Sequence, residues 1–236
     1  MSSMAAGGNH SVLPRTEDKR TVVEAMFDRI AEDYERVNRV ISLGLDHRWR
    51  RRAVDRLGLA PGSLVLDLAC GTGDMSRLLW AKGYVTVGFD FSVNMLERGS
   101  GPHLRVRADV CVLPLADGAA DGIACGFALR NLVDITAFFS ECARVLRPGG
   151  RVAVLDAATP TNAMARVGHR LWFGHVVPWI GARMSEPAAY RYLSASTAYL
   201  PDPLSLGSTV EQVGFTDVDV AQLTLGAVWL ITATNS

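Results

Sequence analysis

The spacing that carries the most chemistry is Asp67-Leu68-Ala69-Cys70-Gly71-Thr72-Gly73-Asp74, at the end of the apolar run Leu64–Leu68 and ahead of a helical stretch. Glycines at such a junction let the backbone turn sharply and let a ligand approach main-chain N–H groups at a helix N-terminus. Asp90 closes the next apolar run, nineteen residues after Gly71. A carboxylate placed there can accept hydrogen bonds from both hydroxyls of a ribose. A tight strand-to-helix turn would account for a glycine pair alone. Strand, glycines, helix and delayed acid together point to a nucleoside site.

The loop also discriminates between nucleosides. The dinucleotide fingerprint G-x-G-x-x-G needs glycine at position 76, where this chain has Ser76. Asp67 and Asp74 bracket the turn with negative charge, which is awkward for a pyrophosphate and suits a cationic ligand. S-adenosylmethionine, with its ammonium and sulfonium, fits better than NAD, and no G-x-x-x-x-G-K-[ST] phosphate loop is present. Asp109, placed after the third apolar run as Asp90 is after the second, can accept from an adenine amino group. Met95 can pack on the adenine face or simply fill the core.

These residues need a scaffold, and the hydrophobic pattern supplies one. Phe27, Ile30, Tyr34, Val37 and Ile41 recur at helical spacing and predict one amphipathic helix ended by Gly44. A second, arginine-rich helix follows, with Trp49, Ala53, Val54 and Leu57 on one side and Arg48, Arg51, Arg52 and Arg56 on the others. From Ser63, apolar runs alternate with helical stretches: Leu64–Leu68, Val85–Phe89, Leu104–Ala108, Gly122–Gly126, Val152–Leu155 and Val218–Val220. A helix over 134–146 is capped by Asp134, buries Ile135, Phe138, Phe139, Cys142, Val145 and Leu146, and is stopped by Pro148-Gly149-Gly150. This alternation predicts an α/β doubly wound fold, a parallel sheet with helices on both faces. The β-prone end, Thr224–Thr234, reads as an antiparallel strand. Residues 1–20 read as a mobile tail, 21–236 as a single domain with N-terminal helices over 21–60 and a lid insertion over 160–200.

Composition narrows the function classes. The 236 residues are 49% apolar and 20% charged, enough to build a full core without staples. Twenty-four basic residues balance 24 acidic ones, which argues against a protein that coats nucleic acid. Cys70, Cys111, Cys125 and Cys142 show neither paired nor metal-ligand spacing, so no metal site is expected and the thiols read as buried hydrophobes of a cytoplasmic protein. The first twenty residues have no signal-peptide core, and no apolar run is long enough for a spanning helix.

The glycine loop, Asp90-x-Ser92-x-x-Met95-Leu96 and Arg144-Val145-Leu146-Arg147-Pro148-Gly149-Gly150 resemble class I S-adenosylmethionine-dependent methyltransferases. Three further stretches narrow the likeness. They are Met26-Phe27-Asp28-Arg29-Ile30-Ala31-x-x-Tyr34 leading to Asn38 and Ser42-Leu43-Gly44, then Phe127-Ala128-Leu129-Arg130-Asn131, then Tyr190-Arg191-Tyr192-Leu193 before Pro201 and Gly214-Phe215. Together they resemble the quinone C-methyltransferases, which methylate demethylmenaquinol and the equivalent ubiquinone precursor. The similarity runs from about residue 21 to the end. It implies a mostly parallel seven-stranded sheet, a donor site of Asp67, Gly71, Thr72, Gly73, Asp90, Asp109, Val110 and Gly126, and Arg130 and Asn131 as catalytic candidates. The chain departs from the family pattern at Glu35, for an aspartate, at Ala128, for a glycine, and at Asp156, for a glutamate.

Methyl transfer from a sulfonium is an in-line displacement that needs alignment and exclusion of water. A quinol carbon becomes nucleophilic as its neighbouring hydroxyl loses a proton, and Arg130 can stabilise the phenolate but is a poor base. Water, His169 or His175 would take the proton. The insertion over 160–200, with Leu171, Trp172, Phe173, Val176, Val177, Trp179 and Ile180 near Arg166, Arg170 and Arg183, either packs as a lid or rests on a membrane surface. The expected partner is a small aromatic, a prenylated quinol, with no nucleic acid. A natural-product aromatic is the alternative acceptor, and a homodimer is compatible with the sequence.

Overall fold

The computed structural model describes residues 19–160, 162–184, 192 and 195–236. The expected tail thus lies almost wholly outside the described residues, as do Tyr190, Arg191 and Leu193 of the third family stretch. Seven strands form one sheet: β1 (Leu64–Leu68), β2 (Val85–Asp90), β3 (Leu104–Arg107), β4 (Ala120–Gly126), β5 (Leu146–Ala157), β6 (Phe215–Leu223) and β7 (Val228–Asn235). Their order is β3-β2-β1-β4-β5-β7-β6. The first five run parallel, and β7 is antiparallel to both β5 and β6, so it is inserted between them.

Burial explains the near-continuous apolar strands. On one face, Phe138, Phe139, Cys142 and Val145 of α6 (Ile135–Val145) pack with Leu206 and Val210 of α9 (Pro203–Gln212). On the other, Ala53, Val54 and Leu57 of α3 (Leu45–Leu57) pack with Met75 and Leu79 of α4 (Asp74–Ala81). Asp134 caps α6 as expected, its Oδ1 accepting from the Ala137 N–H at 2.9 Å. Between β2 and β3 lies α5 (Val93–Arg98), capped by Ser92.

Two expectations are corrected. The stripe Phe27–Ile41 belongs to two helices, α1 (Lys19–Ile30) and α2 (Tyr34–Ile41), broken at 31–33. Asp33 N–H donates to the Ile30 carbonyl at 3.0 Å, a turn short enough to keep both helices in phase. Pro148-Gly149-Gly150 does not stop the chain after α6, because β5 already begins at Leu146. Leu146 pairs with Ala120 and Arg151 with Gly122, so a bulge absorbs the intervening residues.

A third cluster lies apart from the sheet. Val23, Met26, Ile30 and Val37 of α1 and α2 pack against Ile180 and Tyr192. Ile180 comes from the segment after β5, which forms α7 (Ala163–Leu171), a π-helical turn (Trp172–Val176) and α8 (Val177–Met184). Trp172 Nε1 donates to the Ile41 carbonyl at 2.9 Å and Lys19 Nζ to the Leu132 carbonyl at 2.6 Å, tying the cap to α2 and α1 to the end of β4. Among the described residues, no helix is long and apolar enough to cross a membrane.

Candidate active site

Strand order reverses between β1 and β4, and their carboxyl-end loops diverge to leave a crevice there. Both loops turn through unusual backbone. Ala69 (φ 55°) and Phe127 (φ 64°) are left-handed without being glycine, a strain that such residues hold where surrounding structure fixes them. Gly71 (φ 55°) has open space where a Cβ would stand. Two cavities meet at this crevice.

The first is lined by Gly71, Thr72, Asp90, Val110 and Gly126, together with Phe27, Tyr34, Arg50, Met95, Phe127, Ala128 and Asn131. Asp90 accepts from the Gly71 N–H at 2.8 Å and the Ser92 N–H at 2.9 Å, which fixes its carboxylate at the end of β2. Burial raises its pKa, against the pull of those two N–H groups. Three further expected donor residues border this loop and make contacts within the protein. Asp67 is buried under the loop, where its Oδ2 accepts from the Ser76 hydroxyl at 2.5 Å and its Oδ1 has no partner. Gly73 (φ 92°) makes way for the His103 ring, whose Nε2 would stand 2.9 Å from a Cβ there. Asp109 pairs with Arg20 at 2.8 Å and accepts from the Cys111 N–H at 2.9 Å.

Asp67 is charged with difficulty. Burial pushes its pKa up to about 7, although the Ser76 hydroxyl and the Arg50 charge pull the other way. A cation brought near it would be welcomed. The unpartnered Asp67 Oδ1, the fixed Asp90 carboxylate and the open space at Gly71 together suit a nucleoside carrying positive charge, which is what S-adenosylmethionine is.

The second cavity, about 380 Å³, is lined by Ile41, Leu43, Leu45, Trp49, Ala157, Pro160, Trp172, Val177 and Leu225, with Arg130 and His169 as charged or titratable groups. Its size is that of a small-molecule pocket. Tyr34 and Phe127 line both cavities and form the partition between them. Burial pushes the Tyr34 hydroxyl above its ordinary pKa, against Arg50 and Arg130. Arg130 is buried and ion-paired through one guanidinium nitrogen to Asp156, which also accepts from the backbone N–H of Arg130 (3.2 Å) and Ala157 (2.7 Å). Asn131 faces the first cavity, and its Oδ1 accepts from Tyr192 at 3.3 Å. His175 is exposed, so of the two histidines only His169 reaches a cavity.

The two departures nearest the site find partners. Glu35 joins Arg77 at 2.9 Å, and Asp156, one methylene shorter than the glutamate, still holds Arg130. Ala128 lines the first cavity.

The sequence model of the ubiE/COQ5 methyltransferase family matches residues 15–235. The chain belongs to that family. Among relatives of this methyltransferase, the demethylmenaquinone methyltransferase of Mycolicibacterium vanbaalenii is 40% identical over 216 residues, 91% of this chain and 95% of that protein. That of Roseiflexus sp. strain RS-1 is 38% identical over 226 residues, covering 92% and 94%. Solved structures share the fold at low identity. A possible histamine N-methyltransferase of Thermotoga maritima has a TM-score of 0.62 at 18% identity, covering 90% of this chain and 99% of that one. Phosphoethanolamine N-methyltransferase 2 of Haemonchus contortus, in complex with S-adenosylhomocysteine, has 0.60 at 16%, covering 79% and 52%. The enzyme is an S-adenosylmethionine-dependent methyltransferase with a Rossmann-like sheet.

Sequence reasoning missed Phe27, Tyr34, Arg50 and Leu132 as cavity residues. Arg50 had a legible signal. It sits on the buried stripe of α3 with Ala53, Val54 and Leu57, where an arginine is out of place.

Proposed function

We propose that the acceptor is a prenylated quinol of the demethylmenaquinol type, methylated at a ring carbon. The observation that carries this reading is the apolar second cavity, which shares Tyr34 and Phe127 with the donor cavity and has Arg130 in its wall. When bound, the donor supplies an electrophilic methyl on a sulfonium whose thioether leaving group needs no proton. The residues of the chain work on the acceptor. Asp156 holds one guanidinium nitrogen of Arg130 in the wall of this cavity, where its positive charge can stabilise charge developing on the quinol oxygen. His169 lines the same cavity, and burial lowers its pKa, which leaves a neutral ring to accept the hydroxyl proton. The partition of Tyr34 and Phe127 orients the ring against the donor and excludes water.

The rim of the acceptor cavity suits a membrane surface. Leu43 (φ 54°) and Leu225 (φ 56°) hold strained left-handed backbone yet expose 69% and 81% of their surface at its mouth. Leu171 and Trp179 are exposed nearby in the cap, whereas Val177 and Ile180 are packed, so the insertion is both lid and rim. Arg48 and Arg52, exposed on α3, line an adjoining hollow that shares Leu45, Trp49 and Thr224 with this cavity, and suit anionic headgroups.

A methyl-transfer screen over short-chain demethylmenaquinol, simple phenols and amines, with product masses, tests the acceptor. C-methylation of the quinol alone is the expected outcome. Faster turnover of an amine or a phenol oxygen would replace the quinol with another small aromatic. Co-sedimentation with anionic vesicles, lost at high salt, tests the rim.

A further inference from the structure

Arg50 is buried, 6% exposed, yet it has no ion pair or hydrogen bond among the described residues, and its Nε lies unpartnered. Its guanidinium instead lies over an aromatic face, its carbon 5.0 Å from the centre of the Phe127 ring. Its terminal nitrogens cross the end of β4, where a Cβ on Gly126 would fall 2.8 Å from one of them. Glycine at 126 therefore keeps the guanidinium's path into the donor cavity clear.

An arginine is a permanent cation, and a buried cation without an anion is costly enough that an apolar side chain of similar size would serve the fold better. The neighbouring Arg130 shows what a settled buried arginine looks like here, with Asp156 against it. Asp67 feels the charge of Arg50 but makes no ion pair with it, so the guanidinium is left open to an anion carried by a ligand. Arg50 lines the donor cavity and not the acceptor cavity, which has Arg130 instead. Of the groups on S-adenosylmethionine only the methionyl carboxylate is negative.

We propose that Arg50 binds the donor's carboxylate, so that the two arginines on either side of Phe127 divide the work: Arg50 holds the donor and Arg130 faces the acceptor. A planar fork on a carboxylate fixes direction as well as distance, so Arg50 also sets how the methyl group is aimed.

The test needs no acceptor, so it stands whatever the acceptor proves to be. Isothermal calorimetry compares S-adenosylhomocysteine with its analogue lacking only the carboxylate, on wild-type, Arg50→Gln and Arg50→Lys protein. Wild-type protein should prefer S-adenosylhomocysteine by at least about tenfold, as expected for a charge-assisted hydrogen bond. Arg50→Gln should lose about ten- to a hundredfold for S-adenosylhomocysteine and stay within about threefold for the analogue, which erases the preference. Arg50→Lys should keep part of it. Equal losses for both ligands would mean Arg50 only supports the fold, and unchanged affinities would mean it touches neither. If the glutamine variant does not fold, a wild-type protein that binds both ligands equally overturns the proposal by itself.

Discussion

Asp67 gives the site a pH-dependent cost that can be measured. Its carboxyl is 1% exposed, and burial lifts its pKa from the ordinary 3.8 to about 7. Below pH 3.8 the group is protonated in folded and unfolded chains alike. Between 3.8 and about 7 the unfolded chain releases the proton that the folded one keeps, so stability falls as pH rises and then levels off. Roughly three pH units at about 1.36 kcal/mol each amount to about 4 kcal/mol. Asp67→Asn keeps the acceptor for Ser76 and removes the titration. Its stability relative to wild type should be near zero at pH 4 and rise to about 4 kcal/mol at pH 8. In melting temperature that is roughly 8–16 °C for a domain of this length. Urea unfolding of both proteins, followed by tryptophan fluorescence at several pH values, gives the difference directly and cancels the other titrating groups. Saturating S-adenosylmethionine should shrink the gap at pH 8, because its cationic groups favour the ionised Asp67. A gap that stays flat from pH 4 to 8 would refute the reasoning.

Three more outcomes can be checked. Arg130→Ala strands the buried Asp156 carboxylate and should cost about 3–5 kcal/mol in denaturant unfolding, with much of that recovered by adding Asp156→Ala. Asp90→Asn should weaken S-adenosylhomocysteine binding by about tenfold or more in calorimetry, since the fixed carboxylate is what a ribose would meet. Leu225→Gly relieves about 1 kcal/mol of left-handed strain, so the variant should be at least as stable as wild type while binding anionic vesicles less well.

The parts of this molecule visible in its sequence are those whose cause is local. The β1 run, the turn through Gly71 and the cap at Asp134 follow from neighbouring residues, and each lies where its pattern says. The break between α1 and α2 is invisible because the stripe from Phe27 to Ile41 continues in phase across it. Asp109 looks like Asp90 by position, yet Arg20, far away in sequence, occupies it. Gly73 reads as a ligand-loop residue, and the structure adds a second demand on it, the space taken by the His103 ring. Arg50 disappears among the four other arginines of α3 only if its stripe position is ignored. Long-range pairing decides which of several plausible acids and bases face the ligand, and a sequence does not print its pairs.

The cap cluster has a consequence for how the protein is made and how it breathes. The apolar faces of α1 and α2 leave the ribosome well before their partners Ile180, Tyr192 and Tyr199, which follow about 140 or more residues later. Those faces must wait, unburied, while β1 to β5 are synthesised, which makes the nascent α1 and α2 natural clients for a chaperone. In the finished protein the same cluster joins α1 and α2 to α8 and Tyr192 in a unit distinct from the two sheet cores, which it meets only at its edge, through contacts such as Lys19 with Leu132. Amide protons of α1, α2 and α8 should therefore exchange together and ahead of those in β1, β4 and β5, as one small door swinging on a fixed frame. Phe27 and Tyr34 are on that door and also on the wall of the donor cavity. Each opening that exposes the cap amides to solvent is thus also an opening through which spent cofactor can leave.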